Sequence, residues 1–308
     1  MTNTKAYFLL VLATFFWGAT FSLTKYLTDY FSTLSMVAIR FSIATLVTWL
    51  IYRVSLKAAL AELKNIEGIK KYMNVFILGL LNVVAILLQT EGVREIAATN
   101  SSFITSLAII FVPCFEIIYT KKPVSKNIMG VILVALLGVY LMSFGWALPQ
   151  QILRGDLYTL LSALMYSYYI VLVTVIAKQG ISAQVMMFWN FLITAVLTFL
   201  VALFYVHEPW ILKPLDYNII LIFLFLSIVA TVVPYLCMGI GQKNVAPTNA
   251  AIIYLLEPIF AAIIAMIFIH EKITMMQVIG GVIILSAQFY SVHGSYLRTK
   301  VSKALSSK

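Results

Sequence analysis

Ten stretches of this sequence are apolar for about twenty residues each, the length an α-helix needs to cross the hydrocarbon core of a bilayer. They run Ala6–Lys25, Ser32–Tyr52, Tyr72–Glu91, Ala97–Tyr119 and Ile128–Phe144, then Asp156–Ile176, Val185–Tyr205, Tyr217–Gly239, Ala246–Phe268 and Thr274–Tyr296. With 62% hydrophobic and only 10% charged residues, the chain departs from soluble domains, which are nearer half apolar and a quarter charged. An all-α integral membrane protein with ten transmembrane helices is predicted. The first run is too long for the core of a signal peptide, and no small-residue cleavage site follows it. Between Arg53 and Lys71, the sequence KAALAELKNIEGIKK reads equally as a surface helix at the lipid boundary or as a solvated linker.

The net charge of +10 reports topology rather than nucleic acid, because the basic residues sit in short connections between apolar runs. With the N-terminus inside, fifteen Lys and Arg fall on the cytoplasmic side and five on the other. The cytoplasmic set includes Lys5, Arg53, Lys57, Lys64, Lys70, Lys71, Lys121, Lys122, Lys126, Lys178 and Lys243, with Arg298, Lys300, Lys303 and Lys308. Both termini are therefore expected in the cytoplasm. Cys114 and Cys237 both lie in apolar runs, which implies no disulfide framework. His207, His270 and His293 have no partners at metal-ligand spacing. No metal or other cofactor is expected.

The chain repeats itself at an offset of 149 residues. Leu12 meets Leu161, Leu23 meets Leu172, Thr45 meets Thr194 and Phe76 meets Phe225. The densest match sets AATNSSFITSLAIIF (Ala97–Phe111) against APTNAAIIYLLEPIF (Ala246–Phe260). Two units follow, residues 1–149 and 150–308, each with five helices. An odd number of crossings inserts the second unit upside down, and inverted repeats typify secondary transporters with a site near the bilayer midplane.

Within the ninth span, Glu257 is followed by Pro258. A carboxylate at that depth requires a protein-lined or hydrated interior, and the proline frees a backbone carbonyl one turn back. Asn249, Ile253 and Glu257 share a face at four-residue spacing. Its repeat mate is Ala108, so the acid is unpaired by symmetry. The same span carries Tyr254, and the fourth span Asn100, Ser101 and Thr105. Asn82 and Gln89 in the third span, and Thr231 and Tyr235 in the eighth, complete the polar interior. Trp17 and Tyr166 are repeat mates and candidate aromatic walls. Glu116 is placed for an interfacial pair with Lys121 or Lys122. Gly130, Gly138, Gly280 and Gly281 allow close backbone approach in the fifth and tenth spans.

FWGATFSLTK (Phe16–Lys25), MVAIRF (Met36–Phe41), GDLYTLLSALMYSYYIV (Gly155–Val171) and LEPIFAAIIAMIFIHEKIT (Leu255–Thr274) together resemble the drug/metabolite transporter superfamily, in its ten-helix EamA-type members. The resemblance spans nearly the whole chain. It departs from symmetry at the turn where Glu271 stands opposite Lys122. It implies proton- or gradient-coupled, or exchange-type, movement of a small metabolite across a bacterial inner membrane, with the fifth and tenth spans as a scaffold or homodimer element; no enzymatic activity is expected. The expected cargo is an amino acid or amino-acid derivative moving outward. Uptake or exchange of a nucleotide-like or vitamin-like metabolite is the alternative, and a polytopic membrane enzyme a distant one, with no HExxH or GxSxG present. The predicted substrate-binding residues are Trp17, Asn82, Gln89, Asn100, Thr105, Tyr166, Thr231, Tyr235, Asn249, Tyr254 and Glu257. Arg40 offers a planar fork for a carboxylate, but the resemblance places an arginine here whatever the substrate, which favours a structural or snorkelling role.

Overall fold

The computed structural model describes residues 3–62, 66–121, 123–144, 146, 153–205, 209–268 and 272–306, and of residues 3, 58–62, 66–71, 143, 205 and 291–306 the backbone alone. Lys64, Lys122, His207, His270, Glu271 and Lys308 lie outside the described residues, as do the side chains of Lys70, Lys71, His293, Arg298, Lys300 and Lys303. In the first half, α1 is Asn3–Leu27, α2 Thr33–Glu62, α3 Ile66–Glu95, α4 Ala98–Ser106, α5 Ala108–Thr120 and α6 Lys126–Phe144. In the second, α7 is Arg154–Lys178, α8 Ala183–Tyr205, α9 Tyr217–Ser227, α10 Val233–Gly241, α11 Pro247–Tyr254, α12 Glu257–Phe268 and α13 Met275–Ser306. Among the described residues, eight helical spans are long and apolar enough to cross a membrane, and two shorter apolar helices, Lys126–Met142 and Met275–Tyr290, complete the ten. Arg53–Lys71 continues α2 past a bend at Tyr52 (φ −112°, ψ 18°) and is helical as far as Glu62.

Three of the ten spans are interrupted in mid-membrane. The ninth breaks between α11 and α12 because Pro258 has no N–H for the Tyr254 carbonyl and its ring crowds the preceding turn. Leu255 and Leu256 donate instead to Ile252 O and Ile253 O in tighter bonds of 3.3 and 3.0 Å. The Gln288 amide of α13 supplies a further donor to Ile252 O at 2.8 Å, so the broken backbone is satisfied by a neighbouring helix, as a bilayer demands. The fourth span breaks between α4 and α5 at the matching repeat position, Leu107. No proline stands there. Instead Thr105 and Ser106 bond back to the carbonyls of Ser101 and Ser102 at 2.9 Å each, a habit that bends helices. The eighth span carries a π-helical turn, Ile228–Val232, immediately before Pro234.

Packing follows the pseudo-two-fold relation of the halves. The second span pairs with the seventh and the fifth with the tenth, while α4 meets α12 and α5 meets α11, so the two broken spans run antiparallel. The α3–α7 crossing is the mate of the α10–α1 crossing. A Cβ on Gly92 would collide with the Thr159 hydroxyl, and one on Gly241 would lie 2.7 Å from Leu10 Cδ2. Gly92 and Gly241 are repeat mates, and so are Leu10 and Thr159. Both glycines are dictated by the same close approach. Gly138 and Gly280 also meet within this chain, a Cβ on Gly138 falling 2.7 Å from Gly280 O. At the end predicted to face outward, Phe31 bridges to Ile211, and Lys213 pairs with Asp29 at 3.6 Å.

Candidate functional site

A cavity lies where α1, α2, α3, the broken fourth span, α7, α10 and the broken ninth span converge. Trp17, Thr20, Arg40, Gln89, Thr105, Tyr166, Tyr169, Tyr235, Tyr254 and Glu257 line it among apolar neighbours. It encloses about 80 Å³, room for a few waters, so a larger guest enters only when the walls part. Its lining repeats across the pseudo-axis. Trp17 is matched by Tyr166, Thr20 by Tyr169, Ile86 by Tyr235, Gln89 by Met238, Thr105 by Tyr254, Ser106 by Leu255 and Ala108 by Glu257. The cavity is therefore built by the repeat itself, at the place where both spans break.

Glu257 opens α12 at the break and is half-buried on the cavity. Its acidic charge at a helix N-terminus suits the helix dipole. Among the described residues, no side chain gives it a hydrogen bond, and no cation lies within 4.0 Å. The backbone at the start of α12 is packed closely against α1. A Cβ on Gly18 would lie 2.7 Å from Phe260 Cβ, 2.9 Å from Ala261 N and 3.0 Å from Glu257 O. Only glycine lets α1 approach that far, which brings the neighbouring Trp17 beside the break. The Trp17 ring then meets Tyr254 at 5.4 Å and Tyr235 at 5.7 Å, both edge-on. Tyr235 also meets Tyr169 at 6.2 Å. Aromatic rings around an unpaired carboxylate make a box suited to an organic cation.

Seven of the predicted residues are brought together here: Trp17, Gln89, Thr105, Tyr166, Tyr235, Tyr254 and Glu257. Four are not. Asn82 is buried behind the wall, where it accepts from the Tyr235 hydroxyl at 2.9 Å and donates to Thr194 at 2.9 Å. Thr231 stands behind Arg40, as described below. Asn100 is exposed and Asn249 only half-buried; each is the third residue of its half-helix, near a membrane face where an amide is easily hydrated. Glu116 has no ion pair with Lys121 among the described residues, and Lys122 lies outside them. Its carboxylate accepts from Thr248 N at 2.9 Å and from the Thr248 hydroxyl, tying α5 to the start of α11.

The cavity also takes in Thr20, Tyr169 and Ser106, which are not among the predicted residues, and Arg40, for which the sequence favours a structural or snorkelling role over a carboxylate fork. Arg40 does not snorkel. It is 4% exposed, lines the cavity, and donates from Nε to Thr231 Oγ1 at 2.8 Å. The π-helical turn presents that hydroxyl, which itself bonds Leu226 O five residues back at 2.7 Å. Irregular turns of this type concentrate at functional sites, but no residue within Ile228–Val232 announces one.

Comparison with known proteins accords with this architecture. The sequence pattern of the EamA-like transporter family matches residues 4–144 and again residues 153–292. An "Uncharacterized transporter" of Archaeoglobus fulgidus is 25% identical over 278 residues, covering 90% of this chain and 82% of its own. "Uncharacterized transporter YyaM" of Bacillus subtilis is 26% identical over 296 residues, 92% of each chain. A solved structure described only as "Crystal structure of protein" superposes with a TM-score of 0.73 over 93% of this chain and 96% of that one. At 15% identity, this is a likeness of fold.

Proposed function

Because the chain belongs to the EamA-like transporter family, we propose that it carries a small amine-bearing metabolite, an amino acid or amino-acid derivative, outward across a bacterial cytoplasmic membrane by alternating access. One observation carries the reading. Glu257 presents a carboxylate, unpaired among the described residues, to a cavity walled by Trp17, Tyr166, Tyr169, Tyr235 and Tyr254. A substrate ammonium group there gains a counter-charge and the faces of aromatic rings. Outward movement is the commoner direction among transporters that this chain resembles. The excess of Lys and Arg in one set of connections supports cytoplasmic termini. A nucleotide-like cargo fits less well, because it offers no ammonium group to the Glu257 carboxylate. When the amine leaves, the same carboxylate takes a proton, which couples the two fluxes; amine binding then weakens as the pH is lowered.

The test is ligand-dependent melting of the purified protein beside Glu257→Gln. The panel holds the twenty amino acids, polyamines, S-adenosylmethionine, nucleosides and organic acids. A ligand that binds only the folded state raises the melting temperature with concentration, by an amount equivalent to about 2.7 kcal/mol at a hundred times its Kd. Stabilisation by an amine-bearing class that disappears in Glu257→Gln is the expected result. Equal stabilisation of both proteins removes Glu257 from the binding role, and no stabilisation by any amine overturns the cargo assignment.

A further inference from the structure

We infer that Arg40 is the anion-binding arm of the cavity, so that the cargo carries a carboxylate as well as the amine held at Glu257. The inference rests on the reading of Glu257 given above, and goes beyond it by excluding purely cationic cargo such as polyamines.

The guanidinium is almost wholly buried, yet no carboxylate lies within 4.0 Å of it among the described residues. Glu257, on the same cavity, is no nearer than that. Only Nε is engaged, by Thr231, and the plane lies 5.6 Å from the centroid of the Phe41 ring. Among the described residues nothing bonds Nη1 or Nη2. Those two nitrogens are one edge of the fork that receives a carboxylate in parallel hydrogen bonds.

A buried arginine with a purely structural task has its donors taken by carbonyls or by a fixed acid, because an unpaired charge in a membrane interior is costly. A snorkelling arginine reaches the interface. Arg40 does neither: one nitrogen is anchored by a hydroxyl and the remaining donors face the cavity. Thr231 is a positioning residue, fixing the guanidinium plane through Nε while leaving the Nη edge open. The repeat supplies no counterpart, since the mate of Arg40 is Trp189, which does not line the cavity. Arg40 therefore comes from the first half alone and Glu257 from the second half alone. The Tyr235 side chain lies within electrostatic reach of both. A guest bearing both charges engages one element of each half, which couples its binding to the movement of the halves.

The experiment uses the full-length protein and three probes on one phenylethyl frame: phenylalanine with both charges, phenethylamine with the cation only, and 3-phenylpropionate with the anion only. Kd is read from melting temperature against concentration for wild type, Arg40→Gln, Arg40→Lys, Thr231→Val and Glu257→Gln. In wild type, phenylalanine should bind at least tenfold more tightly than phenethylamine, the value of a charged hydrogen-bonded pair. Arg40→Gln should erase that advantage and abolish stabilisation by 3-phenylpropionate, while phenethylamine binds as before. Arg40→Lys, which keeps the charge but loses the fork, and Thr231→Val, which frees it, should weaken the two carboxylate probes by smaller factors without weakening phenethylamine. They carry the test if Arg40→Gln fails to fold.

Equal binding of 3-phenylpropionate by wild type and the Arg40 variants overturns the inference. So does a wild type that binds phenylalanine no more tightly than phenethylamine. If phenethylamine still depends on Glu257 in that case, the amine reading survives and only the Arg40 arm falls. If no probe stabilises the wild type, both readings fall.

Discussion

The two broken spans occupy matching positions in the repeat, yet they break by different means and carry different chemistry. In the first half, α4 gives way to α5 at Leu107 through hydroxyls bonded back to the helix, and Ala108 opens the new helix. In the second, Pro258 forces the break between α11 and α12, and Glu257 stands where Ala108 has its place. Their supports differ too. The α5 start is touched by Ser167 of α7, whose hydroxyl donates to Ala163 O of its own helix at 2.5 Å and shares that proton with Ala108 O at 3.3 Å. The mate of Ser167 is Gly18, whose missing side chain lets α1 lie directly on the α12 start. A duplicated backbone was thus kept symmetrical while its centre diverged: at the breaks, the fourth span presents the neutral Ala108 to the cavity and the ninth the Glu257 carboxylate. A two-fold site with two carboxylates would repel itself, and one acid avoids that cost.

The largest expected effect breaks the packing side of this comparison. Gly18→Leu places a side chain against Phe260 and the backbone at Ala261, which cannot yield, so folded monodisperse protein should be lost. Gly18→Ala should lower the melting temperature by an amount equivalent to about 1–3 kcal/mol, the usual cost of overpacking. The mate substitution Ser167→Ala removes one hydrogen bond, worth about 1 kcal/mol. Thermal unfolding of the three variants checks the order. Equal losses for Gly18→Ala and Ser167→Ala would show that the α1–α12 approach is not closer than its mate.

Next in size is the transfer of charge between halves. Glu257→Gln should abolish binding of phenethylamine. Ala108→Glu combined with Glu257→Gln puts the acid at the mate position on the same cavity, and should restore amine binding to within about tenfold of wild type, one unit of a charged contact. No restoration would mean that the cavity is not symmetrical about its centre. Smaller still is Pro258→Ala. It returns an N–H to face the Tyr254 carbonyl and tends to heal the break, which should weaken amine binding severalfold and raise the melting temperature. Pro113→Ala in α5 should change binding little, because the first-half break rests on hydroxyls at Thr105 and Ser106.

How much of this was legible in the sequence follows from what each feature depends on. The ten spans, the inverted repeat and the position of Glu257 are patterns along the chain and are read directly. The Trp17–Tyr166 wall follows from the repeat. Facing direction does not, because lipid and protein interior are equally apolar, so a transmembrane helix has no polar face to declare which side is inside. Asn100 and Asn249 are read toward the cavity for that reason, although its lining begins only at Thr105 and Ala251 further along each helix. Asn82 and Thr231 are interior, as their polarity implies, but whether a polar group touches a guest or holds the residue that does is a matter of layers. The π-helical turn that aims Thr231 leaves no mark in IVATV. Arg40 was legible both as a carboxylate fork and as a structural or snorkelling arginine, and what separates these, its burial and its single anchored nitrogen, exists only in three dimensions.

The smallest effect concerns the ends of the broken spans rather than their centres. Glu116 of α5 binds the start of α11 through Thr248, closing the gap between the fourth and ninth spans at the end predicted to be cytoplasmic. Its repeat mate is Ala265, which has no carboxylate, so the repeat does not duplicate this tie. A carboxylate on a helix N-terminus contributes about 0.3–1 kcal/mol, which corresponds to a two- to fivefold change in population between closed and open forms. Glu116→Gln removes the charge and one acceptor of the pair. With Cys114 and Cys237 replaced by serine and a single cysteine placed at Thr105 on the cavity, the rate of alkylation from the cytoplasmic face should rise two- to fivefold in Glu116→Gln. Alkylation from the other face should fall or stay unchanged, because one latch governs one gate. A rate that does not change, or that rises from both faces alike, would show that the Glu116–Thr248 pair stabilises the fold without favouring one open end.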